Sequence, residues 1–425
     1  MGNITKAYHE IETIDEVKTL LGDGGTINRC AFQDIDFRDL ECNAGCRFKH
    51  CLFMGCRFTK EMKAQIDGTN LVFSHIDVPF NAFRNTLYTA DTLYEGYELG
   101  NPDSYKDCFD NKVYQHYLRM GKTATDVKET LARTLHDRAI SDCVHELLSH
   151  YDERKIIGIM GGHGLLRTDP EYTKVALVSK KLTESGCVMV SGGGPGAGPG
   201  GMEATHLGAF LAGRTEEDVD EALNILSTAP SYKDREWLDT AMRVIDSFRS
   251  EGVQECRSVD GLTPNPSPKG EGSGYNPSSL TSHPSSQSAS PRGGREGAAS
   301  LGIPTWLYGH EPATPFATHI AKYFENAIRE DSILTIAKGG IIYSPGSAGT
   351  MQEIFQDAVQ NHYLSFGYAS PMIFLGTDYW TKEMPVYPLL QQLSATGKYK
   401  NLILSIGDEV EEIVESALVF VKENK

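Results

Sequence analysis

The chain has 425 residues, is 40% hydrophobic and 23% charged, and carries a formal net charge of −17. That length holds one large or two to three ordinary domains, and the composition is that of a globular protein. The acidic balance excludes a general nucleic-acid surface, which needs clustered Lys and Arg. No apolar run approaches the roughly 18–20 residues of a membrane span. Residues 1–13 lack the basic-then-apolar order of a secretion signal. The expectation is a cytoplasmic protein without a membrane partner.

Residues 1–80 form the first region. Five of the nine cysteines lie here, at Cys30, Cys42, Cys46, Cys51 and Cys56. Zinc is one reading, but no Cys-x-x-Cys pair is present. Phe48, Phe53 and Phe58 each follow a cysteine by two places, and Cys30-Ala-Phe32 and Ile35-Asp-Phe37 keep the same frame. A five-residue beat of small and large apolar residues resembles the pentapeptide-repeat right-handed β-helix over about 26–60. Packing is favoured over metal, because a buried free cysteine behaves as a small hydrophobe. One to two coils are expected.

Residues 81–150 read as a helical connecting region. Within 124–149, Leu131, Leu135, Ile140, Val144 and Leu147 fall near helical spacing. Met120-Gly-Lys-Thr123 ends like a phosphate-binding loop, but His116 stands where that motif needs a glycine.

From 151 to 425 strands and helices alternate. Strands are predicted at 156–160, 187–191, 303–308, 340–343, 372–375 and 402–406. Helices are predicted at 170–185, 202–211, 315–336, 350–363 and 409–421. This rhythm predicts an α/β fold with a doubly wound parallel sheet, in which ligands bind beyond the carboxyl ends of the strands. Four strand ends run into special loops: Gly161-Gly162-His163-Gly164, Gly192-Gly193-Gly194, Gly309-His310-Glu311 and Pro345-Gly346-Ser347. Convergence of these loops on one edge is expected. Residues 258–300 interrupt the domain. Between Thr263 and Ser300 the only large apolar residues are Tyr275 and Leu280, so this stretch reads as a disordered insertion whose deletion leaves activity intact.

The last of these loops opens a helix, and unpaired amides at such a start favour a bound phosphate. Glu353 in the first winding has two readings. Thr350-x-x-Glu353 fits a capping box, or the carboxylate serves a ligand. The Gly-x-G-x-x-Gly match at Gly196, Gly198 and Gly201 is weak, because no acidic strand end follows about 20 residues on.

Gly192-Gly-Gly…Met202-Glu-Ala, followed by Pro345-Gly-Ser-Ala-Gly-Thr-x-x-Glu353, resembles the LOG family over about 155–380. These are Rossmann-like proteins long misnamed lysine decarboxylases. They include cytokinin-activating phosphoribohydrolases and bacterial nucleoside 5′-monophosphate nucleosidases. Ser347 replaces the motif's second glycine, Gln352 stands where many members have a first glutamate, and a Gly-Pro-Gly-Gly insert stretches the first loop. The resemblance implies a Rossmann-like fold, a homodimer, and hydrolysis of the N-glycosidic bond of nucleoside 5′-monophosphates without metal or other cofactor. The alternative is a non-catalytic nucleotide sensor or carrier.

The resemblance also implies catalytic roles for Glu353 and for an arginine on the preceding helix, which by position is Arg329. Gly346, Ser347, Gly349 and Thr350 would cradle phosphate, with Gly192, Gly193, Gly194, Met202 and Glu203 lining the other side. The simpler reading of Arg329 is a surface ion pair with Glu325, Glu330 or Asp331. Gly162, His163, His310 and Glu311 carry less weight, since a lone loop histidine is more often a hydrogen-bonding bystander.

Overall fold

The computed structural model describes residues 8–11, 13–22, 25–40, 47–66, 68–161, 165–195, 201–257 and 299–423. Cys42, Cys46, Gly162, His163 and the insertion through 298 lie outside the described residues.

Six short strands wind through the first region: β1 (His9–Ile11), β2 (Thr26–Asn28), β3 (Cys30–Gln33), β4 (Arg47–Lys49), β5 (Leu52–Met54) and β6 (Leu71–Phe73). They build two parallel ladders, β1-β3-β5-β6 and β2-β4. His9 lies opposite Cys30, Ile27 opposite Phe48 and Phe32 opposite Phe53, a constant step of 21 residues. The left-handed corners keep that step too, with Arg29 above His50 and Asp34 above Gly55. The last rung shortens the step to 19, with Leu52 opposite Leu71, and the ladder reaches from His9 to Phe73, further than the expected 26–60. Helix α1 (Ile14–Gly22) is set into its first turn, which hides the repeat from the sequence. A short helix, α2 (Lys60–Gln65), follows β5.

Phe32 stacks on Phe53 at 5.0 Å and Phe37 on Phe58 at 5.2 Å, an aromatic column at the centre of the coil. Cys30, Cys51 and Cys56 are buried free thiols. The Cys51 and Cys56 sulfurs donate to the carbonyls of Ile27 at 3.5 Å and Phe32 at 3.3 Å, one coil away. Burial pushes the Cys56 thiol up to about 11, which opposes the thiolate a metal needs. Among the described residues no group of His, Cys, Asp and Glu is placed to hold a metal. Cys51→Ser, which puts a more polar hydroxyl into this packing, is expected to cost about 1–3 kcal/mol. A chelator should leave the melting temperature of the natural protein unchanged, and both effects are read by thermal melts.

Helices α3 (Ala90–Leu93), α4 (Phe109–Met120) and α5 (Val127–Ser149) follow. Asp126 caps α5 by accepting from the Glu129 amide. Ala132, Ile140, Val144 and Leu148 of α5 share one hydrophobic cluster with Ile156, Val190, Ile341 and Phe374 of the sheet beyond. The helical region is thus one wall of the sheet's core as well as a connection.

The sheet holds β7 (Ile156–Met160), β8 (Val188–Ser191), β9 (Ser300–Gly302), β10 (His319–Ile320), β11 (Gly340–Tyr343), β12 (Pro371–Leu375) and β13 (Ile403–Gly407). All seven run parallel in the order β10-β9-β8-β7-β11-β12-β13. Between them lie α6 (Pro170–Glu184), α7 (Gly201–Phe210), α8 (Glu216–Ser227), α9 (Trp237–Arg257), α10 (Asn326–Ile336), α11 (Ala348–Tyr363), α12 (Val386–Ala395) and α13 (Val410–Glu423). The strands are nearly continuous apolar runs because both faces are covered. Ile156 and Met160 face the cluster with α5, while Ile157 and Ile159 face α6, α7 and α13.

Two expectations are corrected. Residues 303–308 are not a strand: β9 ends at Gly302, and Trp306–Tyr308 is a 3₁₀ turn capped by Thr305. Pro304 follows β9 and has no amide for a ladder. The expected helix over 315–336 is a two-residue edge strand followed by α10, which begins only at Asn326. No described helix is long and apolar enough to cross a membrane.

Candidate functional site

Strand order reverses between β7, from which β8, β9 and β10 spread to one side, and β11, from which β12 and β13 spread to the other. Adjacent loops part at such a switch and leave a crevice above the strand ends. A cavity of about 450 Å³ lies there. The loops after β8, β9 and β11 line it, together with Gly161 after β7 and the facing sides of α10 and α11.

The β11 loop carries the expected cradle. Helix α11 starts at Ala348 with Ser347 as its N-cap, and no side chain caps it. Thr350 therefore lies inside the first turn, and the capping-box reading of Thr350 and Glu353 fails. Ser347 has φ of −108°, outside the left-handed region that favours glycine, so a side chain there is not excluded by φ. Ser347, Ala348, Gly349, Thr350 and Glu353 all line the cavity. The first-turn amides have no intrahelical partner and carry the positive end of the helix dipole.

Gly346 lies beneath them. A Cβ there would stand 2.2 Å from Thr350 Oγ1 and 3.0 Å from Gly161 Cα, so only glycine lets the two loops touch. The Tyr379 hydroxyl fastens this loop by donating to the Gly346 carbonyl at 2.5 Å. Gly349 is different, since a Cβ there would meet nothing within 4 Å. Gly349→Ala is expected to steady the helix by up to about 1 kcal/mol. If an anion sits against this turn, the same change should weaken phosphate binding at least tenfold, which calorimetry and a melt on one sample compare.

Arg329 lies on α10 across the cavity. Its Nε donates to the Ile303 carbonyl at 3.1 Å. A Cβ on Gly192 would come within 2.3 Å of Arg329 Nη2 and 2.9 Å of the Met202 Sδ, so the glycine makes room for the guanidinium. The surface ion-pair reading is not what the described residues show, because Arg329 makes no ion pair within them and lines the cavity. The start of α10 is fixed by Asp137, which accepts from the Phe324 and Glu325 amides at 3.0 and 2.8 Å. His136 bonds Asp137 at 2.9 Å and the Tyr88 hydroxyl at 2.9 Å, all in the buried core.

Two cavity carboxyls stand in Arg329's field. Burial pushes Glu353 up to about 7, with Arg329 pulling the other way and Glu330 adding to the rise. Burial also pushes Glu311 to about 7, again against Arg329. Among the described residues Glu353 makes no hydrogen bond or ion pair, and it lines the cavity.

Other expected residues divide. Gly192, Gly194 and Met202 line the cavity. Gly193 lies behind it, packed on Gly302, with its carbonyl accepting from the Thr314 amide. Glu203 is not in the cavity at all. It is fully buried and paired with Arg167 at 2.5 and 2.9 Å, and Tyr172 donates to it at 3.2 Å. His310 is more than half exposed and does not line the cavity, whereas Glu311 does. Thr305, Tyr308 and Gln356 also line it and were missed, while Gly161 lines it from the loop after β7 that was expected at this edge. Only the β9 loop could have drawn attention to Tyr308, as an aromatic placed just before Gly309-His310-Glu311.

No family model and no curated protein matches the chain. Among solved structures, the molybdenum cofactor binding protein from the phototrophic bacterium Rippkaea orientalis aligns at 13% identity and a TM-score of 0.32. That alignment covers 63% of this chain and 97% of the other. A superposition that loose carries no argument about what either protein shares.

Proposed function

We propose that the chain hydrolyses the N-glycosidic bond of nucleoside 5′-monophosphates, giving free base and ribose 5-phosphate, on a Rossmann-like domain behind a short right-handed β-helix. The carrying observation is one cavity that holds three things: uncapped helix amides, a carboxyl without a partner, and an arginine facing it. The paired glycine motifs that resemble the LOG family support the same reading and add its homodimer.

Each part has a task. The Ser347 hydroxyl and the amides of Ala348, Gly349 and Thr350 hold the phosphate. Glu353, one turn further along α11, faces the sugar. As the C1′–N bond breaks, its electron pair leaves with the base and positive charge develops on the ribose ring, as in glycoside hydrolysis. The Glu353 carboxylate stabilises that cation and takes a proton from the water that adds to C1′. Arg329 pairs with the phosphate or ribose oxygens and pulls Glu353 toward its ionised form against the effect of burial. None of these steps calls for a metal or an organic cofactor.

The test is incubation with purine and pyrimidine monophosphates while free base is followed. Release of base from at least one supports the enzyme. Tight binding with no release from any favours the carrier, for which Gln352 in place of a glutamate, 3.5 Å from Glu330, is the specific feature.

A further inference from the structure

We infer that Glu311 is the acid that protonates the departing base. This rests on the nucleotide hydrolysis proposed above and adds the group which that chemistry still lacks. In the sheet order β9-β8-β7-β11, three strand spacings separate the loop of β9 from that of β11, about 14 Å. The cavity therefore has two ends. One is the amide turn of α11, where a phosphate fits. The other is the β9 turn, with Tyr308 and Glu311 on its wall. Arg329 lies between, against Gly192, in the field of both carboxyls. A nucleotide with its phosphate on α11 and its sugar at Glu353 puts its base against Tyr308 and Glu311.

The Glu311 end is built for such a group. Its side chain is 13% exposed. Its amide donates to the Tyr308 carbonyl at 2.8 Å, which closes the turn that carries the carboxyl. Burial holds it near neutrality at about 7, where a carboxyl is both available as an acid and able to give its proton up. The charged and titratable groups in its field are His310, with Nε2 at 3.6 Å, Tyr232 and Arg329, and Tyr308 shares its stretch of cavity wall. With a separate acid at the base end, Glu353 stays at the sugar to take the proton of water and need not begin each turnover protonated.

The step balances as follows. The C1′–N bond breaks, its electron pair passes to the base, and a base nitrogen takes the Glu311 proton. Water adds to C1′ and gives its proton to Glu353. Solvent then returns a proton to Glu311 and removes one from Glu353, so the net change is addition of one water.

The experiment compares the natural protein with Glu311→Gln on two kinds of substrate. One is the monophosphate that is turned over fastest. The other is 7-methylguanosine 5′-monophosphate, whose methylated base leaves without being protonated. The expected result is a loss of about 100-fold or more on the first, with less than threefold loss on the second. The alkaline limb of the pH–rate profile on the first should also disappear. Equal losses on both substrates, or an unchanged rate and profile, overturn the assignment. If the methylated nucleotide is not taken, the alkaline limb alone decides. A natural protein that releases base from no nucleotide overturns the hydrolytic reading and this one with it. An active natural protein with equal losses overturns only the role of Glu311.

Discussion

Glu353→Gln is expected to lower base release by about 10³-fold while nucleotide binding stays within a few-fold of the natural protein. Glutamine keeps the shape but can neither carry negative charge nor accept a proton. Since Glu353 makes no hydrogen bond or ion pair among the described residues, its replacement breaks nothing in the fold. A burst-free time course of base release, set beside calorimetric binding of the same nucleotide, separates the two effects. Loss of binding together with turnover would show that the carboxylate holds substrate rather than acting on it.

The pH dependence has a definite sign. Glu353 must be ionised to act, and burial holds it near 7, so it sets the acid limb of the profile: the rate falls as pH drops below that value, while Glu311 sets the alkaline limb. Stability goes the other way. A carboxyl whose folded value lies above its ordinary 4.5 binds more protons folded than unfolded between the two. Its contribution is complete below about 4.5 and lost as pH rises through 7. Glu311 and the buried Asp357, whose carboxyl accepts from Tyr343, are raised to about 7 as well and add to the same fall. Melts at pH 5 and pH 8 should show the natural protein losing more stability than Glu353→Gln over this window.

The second large effect is expected at Glu203 and is structural. Arg167 donates through Nε and Nη2 to both Glu203 oxygens, and through Nη1 to Ala229, Trp237 and Thr240. Neither side chain touches solvent. Glu203→Gln leaves the guanidinium buried without its counter-charge, a change that costs about 3–5 kcal/mol. The melting temperature should drop by roughly 2–4 °C per kcal/mol, while kcat per folded molecule holds. A fall in kcat at an unchanged melting temperature would return Glu203 to the site.

Glu203 also shows where sequence reasoning reaches its limit. Met202-Glu-Ala looks like part of a ligand loop, but the sequence does not say which side of α7 turns inward, and its partner lies 36 residues upstream. The central strands were legible because parallel strands buried on both faces are unbroken apolar runs ending in glycine. β9 and β10 were not, being three and two residues long beside the insertion and a proline. Glu353 and Arg329 were singled out through the resemblance to the LOG family, since spacing alone left Glu353 open between a capping box and a ligand. Glu311 stood out only weakly, because its significance depends on strand order, which no local pattern carries.

The link from Asp137 to the amides of Phe324 and Glu325 has a practical side. The arm bearing Arg329 is moored to a carboxylate from the first 150 residues, across 187 and 188 positions of sequence. Trimming the protein to its sheet would cut that mooring and expose the apolar wall behind it. A shortened version without activity would then report on a loosened guanidinium, and not on whether the complete protein is an enzyme.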